Sequence, residues 1–303
     1  MKQKIMIGFV ILLVFIFSSC KQKSDFPVLR GPYLGQKPPG MTPEVFAAGL
    51  VSTKTYDETG CSLSIDGKEF YFTRSGGDLV TPTIFKSQFQ DATWTTPHRA
   101  VFEGFGPHIS PDGKYMIFSK YVMAEDNQRS VELWRMMRGK NKWVQPRFFG
   151  LGSRASIGNS GAVYYIDRSN KEDRGVIAVQ KFESGKYQKP EILNGEVNSP
   201  YYEAHPCIAK DESYLIFDSN RPGGYGEGDL YICFRDKDDL WTNVNNLGEK
   251  INSKGWDGYA SISPDDKYLF YSSNKDGDFQ LHWVSITIIE KIKPEEFKKE
   301  NQP

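Results

Sequence analysis

The stretch ISPDGKYMIFSK at residues 109–120 decides the fold of this chain, because it recurs in variant form four more times. Each copy joins an apolar strand, a turn built around Asp-Gly or a variant of it, and a second strand rich in aromatic residues. The other copies are LSIDGKEFYFTR at 63–74, IGNSGAVYYIDR at 157–168, IAKDESYLIFDSNR at 208–221 and ISPDDKYLFYSSNK at 262–275. A blade of a β-propeller occupies about 40–50 residues, and the turn anchors are spaced accordingly. These anchors are Asp66, Asp112, Ser160, Asp211 and Asp265, at intervals of 46, 48, 51 and 54 residues. The repeat predicts an all-β fold, a five-bladed β-propeller of four-stranded antiparallel blades.

The outer strand of each blade has its own pattern, an aromatic residue followed three positions later by proline or an apolar residue. Proline lacks a donor for the sheet, so it favours an edge strand. The pattern follows only four of the five repeats, at Trp94, Trp143, Tyr187 and Trp241. The missing strand is predicted at the other end of the chain, where MTPEVF at 41–46 resembles QPRFFG at 145–150. We therefore expect an N-terminal strand to close the ring against the last blade, within a propeller domain at 38–290 that is followed by a charged tail at 291–303.

The N-terminus has the pattern of a secretory leader. Lys2 and Lys4 precede an apolar run at 5–17, and Ser18 and Ser19 lead into Cys20. This resembles a bacterial lipoprotein signal at 1–19, which implies lipid attachment at Cys20 and a tether at 20–37. The alternative is an ordinary cleaved signal with an incidental cysteine. Because residue 21 is Lys and not Asp, we expect a lipid-anchored protein of the cell envelope at the outer membrane, on its periplasmic face or at the cell surface.

Composition limits the partners. The 38 basic and 38 acidic residues balance, so nothing favours nucleic acid, which would require a basic excess. The Gly-rich loop at 223–228 lacks the Lys-Ser/Thr of a phosphate loop, and no cofactor is predicted. Cys61, Cys207 and Cys233 have no zinc-binding spacing and are expected to be buried thiols.

The first strands place a polar group at one end of the predicted channel. Counting back two and four residues from each anchor gives mainly small residues, as a narrow axis requires. Counting back six and eight on the same face gives charged and polar side chains. The predicted channel-mouth residues are Glu58, Arg154, Glu203, His205, Asp257 and Tyr259. Such a group favours a cation or a polar ligand, and whether a metal lies there is left open. The alternative is a solvated rim in which Arg154 neutralises Glu58 or Glu203.

A second ring of basic residues follows the second strand of each repeat. Its members are Arg74, Lys120, Arg168, Arg221 and Lys275. They could form a positive collar near the mouth. The alternative, which we favour, is an interaction with the carboxylates or with turns that is repeated in each blade.

The sequence lacks the motifs of covalent hydrolases, since neither GxSxG nor HExxH occurs. Five-bladed propellers do include glycoside hydrolases that use axial carboxylates as acid and base. A glycoside hydrolase or lyase acting through Glu58, Glu203 and Asp257 is therefore kept as the alternative function, although the repeats are unlike those of glycosidases.

The copies at 109–120 and 262–275, with SNRPGGYGEGDLYICFR at 219–235, resemble the WD40-like PD40 propeller repeat family, which is related to the propeller domain of TolB. The resemblance covers about residues 38–290, and repeat three departs from it with Asn159, Ser160 and Gly161. It implies a propeller that acts as a binding or scaffold module and not as an enzyme. The expected partner is an envelope protein, a peptide or a glycan, with contact to the membrane only through the lipid and a monomeric protein.

Overall fold

The computed structural model describes residues 28–123, 128–140, 142–169 and 175–298. The predicted signal at 1–19, Cys20 and the first part of the tether lie outside these residues. Among the described residues, no helix has the length and apolar character to cross a membrane.

β-strands form nearly all of the regular secondary structure of the described chain, and turns and loops join them. In chain order, the strands of the first half are β1 (Glu44–Val45), β2 (Asp57–Leu63), β3 (Glu69–Ser75), β4 (Thr83–Gln90), β5 (Thr93–Trp94), β6 (His98–Arg99), β7 (Phe105–Ile109), β8 (Tyr115–Met123), β9 (Arg129–Met137), β10 (Arg147–Ile157) and β11 (Val163–Asp167). Those of the second half are β12 (Val176–Gln180), β13 (Phe182–Glu183), β14 (Lys186–Tyr187), β15 (Glu191–Ile192), β16 (Glu203–Ile208), β17 (Tyr214–Ser219), β18 (Asp229–Arg235), β19 (Trp241–Asn246), β20 (Asp257–Ile262), β21 (Tyr268–Ser273) and β22 (Gln280–Ser285). A 3-10 turn at Tyr33–Gly35 precedes them, and helices α1 (Thr287–Ile292) and α2 (Glu295–Lys298) follow.

The strands pair in antiparallel sheets that follow the repeats. One sheet runs β2-β3-β4-β5 with β6 also on β4, another runs β16-β17-β18-β19, and a third runs β20-β21-β22-β1. Repeats two and three share one sheet, β7-β8-β9-β10-β11-β12-β15, because the long strand β10 pairs with β9 by its first half and with β11 by its second. This all-β arrangement is consistent with a β-propeller.

The first strands of the five repeats lie side by side. Strand β2 contacts β7 and β20, and β10 contacts β7 and β16. Strand β16 in turn contacts β20, so the contacts form a closed cycle. Strand β1 pairs with the last repeat and not with the repeat that follows it in the chain, because Glu44 of β1 pairs with Trp283 of β22.

In repeats one, two and five, the turn after the first strand is built by a serine two residues before the anchor. The Ser110 hydroxyl donates to Asp112 over 2.6 Å and accepts the N–H of Tyr115 over 3.1 Å. Ser64 and Ser263 make the same pair of contacts in repeats one and five. A short polar side chain that binds nearby backbone in this way stabilises a turn in place of a continuing strand.

The segments that flank the predicted propeller domain pack against it. Leu34, within the predicted tether, is fully buried in the cluster that contains Phe46 and Trp283. At the other end, helix α1 crosses the predicted boundary at 290 with Ile288 and Ile289 buried, and the ring of Phe297 in the predicted tail stacks on Phe234. Burial of apolar side chains fixes both segments on the sheets.

Candidate functional site

Every first strand carries a β-bulge at the sixth residue before the anchor. The pairing register with the second strand shifts there in all five repeats. The residue concerned has positive φ each time: 62° at Gly60, 60° at Gly106, 55° at Arg154, 50° at His205 and 57° at Tyr259. Glycine adopts this conformation without strain, whereas other residues pay about 1–2 kcal/mol. Three repeats therefore hold a strained polar or aromatic residue where two repeats have glycine.

The bulge turns a backbone N–H towards the preceding repeat. The N–H of Gly106 donates to Thr73 Oγ1 over 2.8 Å, and that of Arg154 donates to Ser119 Oγ over 2.8 Å. The same contact joins Tyr259 N to Asp218 Oδ1 and Gly60 N to Ser272 Oγ. In these four repeats the acceptor is the seventh residue after an anchor, so the contact is a feature of the repeat and does not depend on the side chain at the bulge.

The bulges bring Arg154, His205 and Tyr259 together at one end of the inner strands, which we call the mouth. The rings of His205 and Tyr259 are stacked with centroids 3.8 Å apart. The Arg154 guanidinium lies over the rings of Tyr259 and Phe105, at 4.7 and 5.0 Å. These residues line a narrow cavity of about 40 Å³, with room for about two or three water molecules.

Asp218 accepts hydrogen bonds from residues of this group and holds them in place. Its carboxylate is fully buried and accepts hydrogen bonds from His205 Nδ1 over 2.8 Å and from Trp256 Nε1 over 3.0 Å. Burial lowers the pKa of His205, and the Asp218 carboxylate opposes that shift. Burial likewise raises the pKa of Tyr259 to about 12. Because Nδ1 is bound to Asp218, the ring nitrogen of His205 that remains for a ligand is Nε2.

The three predicted carboxylates lie apart from this group. Each is buried and binds a Ser or Thr of the loop before its own strand, through both the backbone N–H and the hydroxyl. The pairs are Glu58 with Thr53, Glu203 with Ser199 and Asp257 with Ser253. The expectation that they converge with Arg154 assumes strict alternation along the strand. The bulge breaks that alternation, so residues eight before the anchor leave the face of residues six before it.

Two members of the predicted basic collar are the partners of these carboxylates. Arg74 Nε lies 3.1 Å from Glu58, and Arg221 Nη2 lies 3.2 Å from Glu203. Both guanidinium groups also donate to backbone carbonyls, of Leu50 and Val51 in one case and of Glu196 and Val197 in the other. In repeats one and four the basic residue therefore holds the loop that leads into the first strand.

The other collar members have different surroundings. Lys120 lies 3.3 Å from the exposed Glu103, and Arg168 interacts with Tyr202. Lys275 is exposed. The five residues thus do not share one arrangement in the described structure.

Sequence reasoning missed Asp218 and Trp256. Asp218 occupies the position that is Thr73, Ser119, Asp167 and Ser272 in the other repeats, so an acid at this position recurs in repeat three and gave no distinct signal. Trp256 lies outside the aligned strands and gave no signal either. Within the described residues, no group of three or more His, Cys, Asp or Glu side chains could hold a metal ion. Cys61, Cys207 and Cys233 are buried free thiols, as expected.

The burial of Glu58 predicts a pH dependence of stability. Burial raises its pKa from 4.5 to about 7, although Thr53 and Arg74 favour the charged form. The folded state then binds more protons than the unfolded state between these values, so the free energy of unfolding should fall as the pH rises from 4.5 to about 7. Urea unfolding across this range should show a smaller decrease for Glu58→Gln. The exposed carboxylate variant Glu103→Gln is the control, and an equal decrease in both variants would contradict the assignment to Glu58.

No family model matches the sequence, and a search of curated proteins returns no match. Solved structures do match the fold. The chain is similar to an endo-arabinase from Bacteroides thetaiotaomicron, with a TM-score of 0.55 and 12% identity over 82% of this chain and 98% of that one. It is also similar to a thermostable family-43 glycoside hydrolase, with a TM-score of 0.50 and 12% identity over 76% and 89% of the two chains.

TolB from Acinetobacter baumannii is a third similar structure, with a TM-score of 0.49 and 17% identity over 75% of this chain. The match covers 54% of that TolB chain, about half its length. At such low identities these similarities concern the fold alone, since one fold hosts many activities.

Proposed function

We propose that this chain is a five-bladed propeller, closed by β1, that binds a peptide, a protein or a glycan of the cell envelope on its mouth face and has no enzymatic activity. The closed cycle of first strands and the pairing of β1 with β22 support the blade number and the closure. The leader sequence supports lipid attachment at Cys20 and placement at the outer membrane. The balanced charge supports a partner other than nucleic acid.

One observation carries the binding role, namely the strained side chains at the mouth. Arg154, His205 and Tyr259 have positive φ at positions where Gly60 and Gly106 serve the same bulge. The fold does not require these side chains, and glycine would relieve the strain. Backbone strain that persists where the fold does not need it is typical of functional sites.

The alternative of a glycoside hydrolase is less well supported by the geometry. Glycosidases need two carboxyl groups that face the same sugar, about 5–10 Å apart. Glu58, Glu203 and Asp257 are almost fully buried, and each binds the loop before its own strand. Arg74 and Arg221 further neutralise two of them. These contacts favour a structural role for the carboxylates.

The test combines a binding screen with a stability measurement. The protein is screened against a peptide library and a glycan array, and the ligands found are measured again with Arg154→Gly and Tyr259→Gly. We expect both variants to lose binding at least tenfold. We expect Arg154→Gly also to be as stable as the parent or more stable by about 1 kcal/mol, because glycine relieves the strain at positive φ.

The control is Ile65→Ser, an exposed residue beside the turn anchor at the opposite end of the inner strands. It should bind the same ligands with unchanged affinity. The proposal is wrong if the mouth variants keep every ligand, or if arabinan, xylan or another glycan from the array is hydrolysed by the parent protein.

A further inference from the structure

The Arg154 guanidinium makes no ion pair within the described residues, and the charge of Asp218 acts on it from beyond ion-pair distance. Among the described residues, no carboxylate lies within ion-pair distance of it, and its nearest acceptor is Thr59 Oγ1 at 3.5 Å from Nη2. Nη1 is buried and has no hydrogen-bond partner. A buried charge without a partner is costly, whereas Arg in the same site pairs strongly with a carboxylate through two parallel hydrogen bonds. The arrangement therefore lacks an anion.

The residues around Arg154 leave space for its side chain, and they leave no carboxylate free to pair with it. A Cβ atom at Gly106 would lie 2.8 Å from Arg154 Cδ, and one at Gly60 would lie 3.2 Å from Nη1. Two glycines thus admit the side chain across the mouth. Asp218, the carboxylate beside the group, is occupied by His205, Trp256 and the N–H of Tyr259.

His205 supplies a second contact of the opposite kind. Its Nδ1 is held by Asp218, its side chain keeps 11% of its surface exposed, and it lines the same cavity. No hydrogen bond to Nε2 occurs among the described residues. In the neutral ring with the proton on Nδ1, Nε2 is an acceptor. A ligand that suits the mouth therefore presents a carboxylate together with a nearby N–H or O–H donor.

We infer that the mouth binds the free carboxyl terminus of a peptide, with the terminal carboxylate on Arg154 and the N–H of the last residue donated to Nε2 of His205. This inference rests on the proposed binding function and names its ligand. One terminal residue carries both groups, the carboxylate and an adjacent N–H donor. The cavity is small, about 40 Å³, which favours a small last residue, glycine or alanine.

The probes are acetyl-Gly-Gly-Gly with a free carboxylate, the same peptide as its carboxamide, and glucuronate as a sugar acid. Binding to the whole protein is followed by titration calorimetry and by the side-chain N–H signals of Arg154 in ¹⁵N spectra. We expect the free acid to bind at least tenfold more tightly than the amide and to shift the Arg154 signals. Arg154→Gln, which keeps a non-glycine residue at the strained positive φ but removes the charge and shortens the side chain, should abolish the preference, and thermal unfolding checks that it is folded.

Each other outcome overturns the inference in a different way. Equal affinity for acid and amide, or no binding of the free acid, would show that the mouth does not recognise a terminal carboxylate. Glucuronate that shifts Arg154 while the peptide does not would replace the peptide end by a sugar acid. A mouth ligand from the library or array that lacks a carboxylate would sink this inference and leave the proposed function standing. If every ligand from that screen binds Arg154→Gly and Tyr259→Gly as tightly as the parent, both the inference and the proposed function are wrong.

Discussion

Arg74→Met is expected to lower the free energy of unfolding by about 3–5 kcal/mol, because it leaves the fully buried Glu58 carboxylate without its cation. The same change removes the donor to the carbonyls of Leu50 and Val51. Methionine retains much of the apolar contact that the arginine stem makes with the Phe72 and Phe85 rings. The decrease in the free energy of unfolding should therefore reflect the lost charge and hydrogen bonds of Arg74, and not a cavity left by its side chain. Urea unfolding measures it at a pH well above the raised pKa of Glu58, about 7, where the carboxylate is charged in the folded state.

Lys275→Met is the control, since Lys275 is the basic residue that follows the second strand of the fifth repeat and is exposed. It should change stability by less than about 0.5 kcal/mol. If both variants lose the same small amount, Arg74 is a surface residue in solution and the structural assignment of the Glu58 pair is incorrect. Glu58→Gln combined with Arg74→Met should recover part of the loss, because the buried charge is then gone.

The repeated architecture could be predicted from the sequence because its signals are local. A serine, an anchor and an apolar strand recur in ISPDGKYMIFSK and ISPDDKYLFYSSNK, and each such turn is stabilised by contacts within about five residues. The second strands that follow these turns are buried almost throughout, as residues 269–273 of β21 show. The resulting all-β fold of antiparallel sheets agrees with this prediction.

The arrangement at the mouth could be predicted only in part, and the bulge is the reason. Up to the sixth residue before the anchor, counting along the strand gives Arg154, His205 and Tyr259, which the structure does bring together. Beyond that point the positive φ rotates the chain, so Glu58 and Glu203 point to their own loops. Gly60 and Gly106 were the available signal, because glycine in a strand often marks a bulge. The other three repeats have Arg154, His205 and Tyr259 at this position, and these residue types do not indicate a bulge.

Closure by β1 is the remaining feature with a large energetic consequence. Phe46 directly follows β1 and is fully buried, with ring centroids 5.1 Å from Phe70, 5.2 Å from Phe270 and 5.1 Å from Trp283. Phe70 belongs to the first repeat, and Phe270 and Trp283 belong to the last. One side chain therefore joins the two ends of the proposed ring. Without β1, strand β22 would become an edge strand and expose unpaired backbone groups.

Phe46→Ala should consequently lower the free energy of unfolding by about 3–5 kcal/mol, the usual cost of removing a buried phenylalanine ring. Phe148→Ala is the control, because Phe148 lies in the outer-strand segment at 145–150 that resembles 41–46 but is 55% exposed, and it should lose less than about 1 kcal/mol. A chain that begins at residue 53 lacks β1, Phe46 and Val51 together and is expected to show no cooperative unfolding transition. If this shortened chain unfolds at the same temperature as the parent, β1 contributes nothing to the stability of the fold. Loss of the transition in that chain, with Phe148→Ala unaffected, would mean that the first and last repeats are held together through this segment.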